Sequence, residues 1–208
     1  MLRIKICGIT NLEDALLAAA LGADALGFIF YPPSPRSVAP EAAREIIAQL
    51  PPFVSTVGVF VDEDAAAVRD LAVRMGLDWV QLHGRETPEY CRSLARRVIK
   101  GFRIRDAGSL ADLADYRGAA QALLVDTYKQ GQVGGTGETF DWRLAQEAKK
   151  YGPIILAGGL TPDNVAQAVA IAQPAAVDVA SGVEAAAGKK DPEKLRAFFA
   201  MIRGVGNQ

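Results

Sequence analysis

Eight short runs of mostly Val, Ile, Leu and Ala recur along the 208-residue chain, alternating with longer stretches rich in Ala, Leu, Arg and Glu. That alternation constrains the fold more than any other feature. The candidate strands are Leu2–Ile6, Ala25–Phe30, Ser55–Phe60, Trp79–Leu82, Val98–Arg103, Ala122–Val125, Ile154–Ala157 and Ala176–Val179. Several are almost continuously apolar, as parallel strands buried on both faces require. Helix starts are marked between them. Thr10-Asn11-Leu12-Glu13 has the spacing of a capping box, and Thr87-Pro88, Thr161-Pro162 and Asp191-Pro192 each set an oxygen-bearing cap before a proline. Repeated strand–helix units imply a parallel sheet with right-handed crossovers. Eight of them in this length predict an α/β chain closed into one (β/α)₈ TIM barrel domain over residues 1–208; an open doubly wound sheet is the other arrangement.

The formal net charge is -1, with acidic and basic residues mixed, which leaves no electrostatic footprint for nucleic acid or a membrane. Two cysteines, Cys7 and Cys91, are too few for a disulfide framework. With His83 as the one histidine, they form no convincing transition-metal site, so no metal is expected. The start Met1-Leu2-Arg3-Ile4-Lys5-Ile6 lacks the long apolar core of a signal peptide, and no apolar run approaches the ~18 residues of a membrane span. The expectation is a cytoplasmic protein.

Barrel enzymes carry their chemistry at the C-terminal ends of the strands. There the sequence places Cys7-Gly8, His83-Gly84, Asp126, Gly158-Gly159 and Ser181-Gly182, with Tyr31-Pro32-Pro33-Ser34-Pro35-Arg36 after the second strand. Paired glycines between strand and helix let backbone N–H groups approach an anion. With Val179-Ala180-Ser181-Gly182-Val183 following the last strand, the pair predicts a phosphate site; two tight turns are the plainer alternative. Cys7 is read either as a small buried hydrophobe or as a base at the rim, which needs a cation or dipole to favour thiolate. Strand period two puts Lys5 on the same face, one layer deeper. Lys5 either lends positive potential to that thiol or pairs with a barrel carboxylate such as Asp178. Asp126 lies on a well-separated arc of the rim, so an acid and a base there could address opposite sides of one substrate. Lys100 is either a Schiff-base amine or a salt-bridged lysine, and Cys91 is read as structural. Gly134-Gly135-Thr136-Gly137 does not open a helix after a first strand, so it is read as a lid hinge and not a dinucleotide loop.

These segments together resemble the phosphoribosylanthranilate isomerase family. The resemblance rests on Lys5-Ile6-Cys7-Gly8-Ile9-Thr10, Gly27-Phe28-Ile29-Phe30, Ser34-Pro35-Arg36-Ser37, Val80-Gln81-Leu82-His83-Gly84, Gly134-Gly135-Thr136-Gly137, Phe140-Asp141-Trp142, Leu156-Ala157-Gly158-Gly159-Leu160 and Asp178-Val179-Ala180-Ser181-Gly182-Val183-Glu184. Ala180 departs from the serine more usual in the family. The resemblance implies an Amadori rearrangement of N-(5-phosphoribosyl)anthranilate in tryptophan biosynthesis, without cofactor. It implies Asp126 as general acid, Cys7 as general base and Arg36 as the partner of the anthranilate carboxylate. The candidate substrate-binding set is Arg36, His83, Gly135, Gly158, Gly159, Asp178, Ser181 and Gly182. The expected partner is a small phosphorylated aminosugar, with the chain a monomer or homodimer. Three rivals stand beside this reading. The histidine-pathway aminoaldose isomerase uses an aspartate on its first strand and two phosphate sites. Indole-glycerol-phosphate synthase uses a lysine acid, for which only Lys100 could serve. A non-catalytic phosphate-ligand barrel would have no need of Cys7.

Overall fold

The computed structural model describes residues 2–126 and 142–205. Eight parallel strands close into a barrel in sequence order, β1 to β8: Arg3–Cys7, Ala25–Ile29, Ser55–Phe60, Trp79–Leu82, Arg97–Arg103, Ala122–Asp126, Ile154–Ala157 and Ala176–Val179. β1 pairs with both β2 and β8, so the two ends of the alternation meet and the open-sheet arrangement is excluded. Every expected strand is present, with bounds within one residue.

Strand period two sorts the side chains into two layers. Ile4 and Ile6 of β1 point outward into a core shared with Leu26, Phe28, Ala15, Ala18 and Phe198. Outside β3 to β5, Phe60, Val80, Leu82 and Val98 pack on Val68, Ala72, Met75 and Cys91. Cys91 is therefore structural, as expected. The interior layer is smaller: Val57, Ile99, Leu124, Ile155 and Ala157 fill it, so the barrel is a packed core and not a pore. At the lower rim, residues just before even-numbered strands brace the preceding odd ones. Asp24, Asp78 and Gln121 accept the backbone N–H of Ile4, Thr56 and Val98.

The outer layer runs α1 (Leu12–Ala20), α2 (Pro40–Ile47), α3 (Ala65–Met75), α4 (Pro88–Ser93), α5 (Trp142–Ala148), α6 (Val165–Ala172) and α7 (Pro192–Val205). Thr87 caps α4 through Tyr90 N, and Asp191 caps α7 through the N–H groups of Glu193 and Lys194. Two expected starts shift. Asn11, not Thr10, accepts from Asp14 N at the head of α1, because Thr10 Oγ1 donates instead to the Gly188 carbonyl. α6 begins at Val165, after a turn in which Asn164 Oδ1 accepts the N–H of Thr161. Between β5 and β6 the chain forms a 3₁₀ helix, Ala107–Tyr116. Leu110, Leu113 and Tyr116 recur every third residue, which matches the 3.0-residue turn and puts all three on one side. After β8 a short 3₁₀ turn, Ser181–Val183, leads into an antiparallel hairpin, β9 (Glu184–Ala186) and β10 (Lys189–Lys190). Among the described residues, no helix is long and apolar enough to cross a membrane.

Candidate active site

The C-terminal ends of the strands surround a cavity of about 640 Å³. Its wall includes Cys7 from β1, Arg36 after β2, Gln81 and His83 from β4, Arg103 from β5, Asp126 from β6, Gly158 and Gly159 after β7, Asp178 from β8, and Ser181 and Gly182 beyond it. Nine of the ten sequence candidates therefore meet in one place. The tenth, Gly135, lies outside the described residues, as do its expected lid and Phe140-Asp141. A neighbouring groove of about 770 Å³ shares His83 and Arg103 but contains neither the thiol nor the paired glycines.

Cys7 projects into this cavity from a crowded floor. A Cβ added at Gly27, its register partner on β2, would lie 2.9 Å from Cys7 Sγ and 3.0 Å from Lys5 Nζ. The thiol and the ammonium thus flank one gap that only glycine leaves open. Lys5 Nζ also donates to Asp178 Oδ1 at 2.8 Å, with both side chains buried. The salt-bridged reading of Lys5 therefore holds, and the same ammonium stands beside the thiol. Burial pushes the Cys7 thiol above its ordinary value, Lys5 pulls it down, and Asp178 pushes it up again. Burial pulls the Lys5 ammonium down, but Asp178 and Cys7 outweigh it and hold it above the usual lysine range.

This opposition gives a signed expectation. Lys5→Met removes the cation that favours thiolate, so alkylation of Cys7 should begin at higher pH than in the unmodified protein. Asp178→Asn removes the anion that disfavours thiolate, so alkylation should begin at lower pH. Each change breaks a buried pair and costs stability, about 3–5 kcal/mol; general loosening cannot produce shifts of opposite sign. Iodoacetamide rates against pH, followed at the Cys7 peptide by mass spectrometry, measure this separately from the second thiol, Cys91, which is packed in the core outside β3 to β5. Unmoved or like-signed shifts would remove Lys5 and Asp178 from control of the thiol.

β6 ends in Asp126, separated from β1 by two intervening strands the shorter way round and by four the longer. His83 Nε2 lies 3.6 Å from Asp126 Oδ2. The His83 ring is seated from two sides. Gln81 Nε2 lies 3.3 Å from its Nδ1, and a Cβ at Gly101 would come within 2.5 Å of that same nitrogen. That contact leaves Nε2 as the ring nitrogen facing Asp126. Gln81 Oε1 is buried with no partner among the described residues.

The two small-residue loops come together at the β7–β8 side. Gly158 and Gly159 both have positive φ, 87° and 63°, so the β7 loop turns through the left-handed region that glycine tolerates. A Cβ on Gly182 would fall 1.8 Å from the Leu160 carbonyl oxygen, so the β8 loop closes directly on the β7 loop. Among the described residues, the N–H groups of Gly159, Ser181 and Gly182 donate to no protein acceptor. Unpaired backbone donors on two adjoining glycine loops at a strand rim are suited to an anion.

Arg36 arches over the same opening. Its Nε lies 2.9 and 3.0 Å from the two Glu184 carboxylate oxygens, and its Nη2 lies 2.8 Å from Oε2. Lys190 Nζ, fully buried, donates to Glu184 Oε1 at 3.0 Å and to the Cys7 carbonyl at 2.6 Å. Burial pushes the Glu184 carboxyl up, but Arg36 and Lys190 outweigh it and hold it below the usual carboxylate range. Sequence reasoning missed the roles of Glu184, Lys190, Gln81 and Gly27. Lys100 is not a reactive amine of this cavity: it points outward, 3.2 Å from Glu86 Oε2, and donates to the carbonyls of Gly84 and Gly101.

A family model described as N-(5'phosphoribosyl)anthranilate (PRA) isomerase matches residues 4–201. The N-(5'-phosphoribosyl)anthranilate isomerase of Geobacter sulfurreducens is 56% identical over 204 residues, covering 98% of this chain and all of that one. The crystal structure of phosphoribosyl anthranilate isomerase from Thermotoga maritima has a TM-score of 0.91 at 46% identity, covering 98% of this chain and 100% of that one. A second Thermotoga maritima structure, of monomers generated from the dimeric enzyme, has a TM-score of 0.88 at 42% identity with the same coverage. A structure of such an isomerase in complex with reduced 1-(o-carboxyphenylamino)-1-deoxyribulose 5-phosphate has a TM-score of 0.89 at 43% identity, again with the same coverage.

Proposed function

The chain belongs to the N-(5'-phosphoribosyl)anthranilate isomerase family, and on that premise we propose that its rim performs the family's Amadori rearrangement with Asp126 as general acid and Cys7 as general base. The substrate is N-(5-phosphoribosyl)anthranilate and the product 1-(2-carboxyphenylamino)-1-deoxyribulose 5-phosphate, a step of tryptophan biosynthesis. One observation carries the reading: a thiol from β1 and a carboxyl group from β6 line one cavity together with the glycine loops that follow β7 and β8.

The phosphate sits on the free N–H groups of Gly159, Ser181 and Gly182, and fixes the ribose across the mouth. Asp126 gives its proton to the furanose ring oxygen. The C1–O bond breaks, and the nitrogen lone pair forms a protonated imine at C1. The Cys7 thiolate then removes the proton from C2. The C2–H electrons become the C1=C2 bond, and the imine electrons return to nitrogen, giving an enolamine. Gain of a proton at C1 and loss of one from the C2 hydroxyl completes the ketone. The imine is the substrate's own electron sink, so the chemistry requires proton transfer alone. Arg36 meets the anthranilate carboxylate, where a planar guanidinium can hold both oxygens. Fluorescence of enzymatically generated phosphoribosylanthranilate tests the assignment, with the histidine-pathway substrate run in parallel. The expected result is loss of anthranilate-type emission with the first and no conversion of the second. Binding without turnover would overturn it.

The chain is also inferred to pair with a second copy through its N-terminal barrel face. Phe53 is fully exposed there, held at φ 72°, on the edge of a recess of about 330 Å³ that includes Ile4, Val57, Trp79, Ile99 and Ile155. An exposed aromatic beside an apolar recess is self-complementary under a two-fold axis, each ring filling the other copy's recess. The related Thermotoga maritima enzyme is described as dimeric. Phe53→Asp should convert a dimer into a monomer in sedimentation velocity. A wild-type monomer, or a variant that stays dimeric, would contradict the pairing.

A further inference from the structure

Arg36 is clamped on two sides before any substrate arrives. Its aliphatic stem crosses Gly8: a Cβ there would sit 2.9 Å from Arg36 Cδ, and Gly8 has φ +76°, so both space and backbone call for glycine. Its head is held by Glu184, which takes the Nε–Nη2 edge of the guanidinium. A guanidinium has a second fork, formed by Nη1 and the outer N–H of Nη2. Nη1 donates to no group among the described residues, and the side chain keeps a quarter of its surface exposed on the cavity wall.

Glu184 is itself held. Lys190, with no exposed side-chain surface, ties Glu184 Oε1 to the Cys7 carbonyl and the Ala180 carbonyl. Two cations thus share one carboxylate, leaving one net positive charge in the cluster. That charge is presented at the exposed end, on Arg36. The same lysine anchors the backbone of the strand end that carries the thiol, so the cationic fork and the sulfur hang from one buried point.

We infer that Glu184, backed by Lys190, is the positioning residue that turns the outer fork of Arg36 toward the substrate carboxylate and so sets selectivity for a carboxylate-bearing arylamine. This rests on the reading that Arg36 receives the anthranilate carboxylate. Glu184 touches no reacting atom; it occupies one edge of the guanidinium so that the other faces the cavity at a fixed distance from Cys7.

The test compares two ligands by calorimetry: reduced 1-(o-carboxyphenylamino)-1-deoxyribulose 5-phosphate and the same compound lacking the carboxylate. The ratio of their Kd values is the readout, because a merely structural defect weakens both alike. Glu184→Gln is expected to shrink the wild-type ratio about tenfold, the scale of one charge-assisted hydrogen bond. Arg36→Lys keeps the charge but has no second fork, so it should shrink the ratio similarly, and it lies at a partly exposed position should the buried change impair folding. Arg36→Met separates the two claims. If Arg36→Met leaves the ratio intact, Arg36 does not hold the carboxylate and the underlying reading fails. If Arg36→Met collapses the ratio while Glu184→Gln and Arg36→Lys preserve it, the positioning role alone is wrong. Equal weakening of both ligands by Glu184→Gln also overturns it.

Discussion

Cys7→Ala is expected to lower kcat by about 10²–10⁴-fold, the contribution of one well-placed proton-transfer group, with far-UV circular dichroism unchanged. The change removes one sulfur from a site already bounded by Gly27, Lys5 and Asp178, so the barrel loses little packing. What it loses is the one group on β1 that can take a proton from the middle of the cavity. Cys7→Ser should be nearly as damaging, because a hydroxyl at the same place is far less acidic than a thiol. Since the sulfur acts on C2 only after the ring has opened, kcat and kcat/KM should fall together while KM stays near its original value. A stopped-flow fluorescence assay reads all three quantities. Near-normal turnover in Cys7→Ala would remove the thiol from the mechanism.

For Asp126→Asn the expected loss in kcat is again about 10²–10⁴-fold, for a different reason. Asparagine keeps the shape at the end of β6 and its place beside His83, yet it has no acidic proton to give the ring oxygen. Ring opening then limits the rate. Substrate deuterated at C2 distinguishes the two lesions in single turnovers. In Asp126→Asn the isotope effect should vanish, because C–H cleavage follows the slow step. A deuterium effect persisting at full size in Asp126→Asn would mean that the carboxyl group acts elsewhere.

The fold was legible because both signals are local. Nearly continuous apolar runs and capped helix starts need only neighbouring residues, and the eight strands emerge within a residue of their expected bounds. The segment after β5 reads as a 3₁₀ helix only when the three-residue spacing of Leu110, Leu113 and Tyr116 is taken at face value. Rim chemistry was legible where a reactive residue ends an apolar run, as with Cys7, His83 and Asp126. The clamp on Arg36 was not. Glu184 lies 148 residues away, and the two meet because β8 closes on β1, a distance that no spacing rule encodes. Lys190 was hidden for another reason: a lysine after a turn reads as solvated, and its complete burial follows only from the carbonyls of Cys7 and Ala180 around it. Glycines acting by close approach, such as Gly27 and Gly182, likewise look like ordinary strand or turn glycines until the opposing atoms are in place.

The most direct test of the acid–base pair is a crystal structure of this chain with reduced 1-(o-carboxyphenylamino)-1-deoxyribulose 5-phosphate bound. With the phosphate on the Gly159 and Gly182 N–H groups, Cys7 Sγ should stand within about 3.5 Å of C2, a reactive separation. An Asp126 oxygen should meet the C4 hydroxyl that was the ring oxygen, from the opposite side. A complex with the sulfur far from C2, or with both groups on the same side of the sugar, would contradict the account.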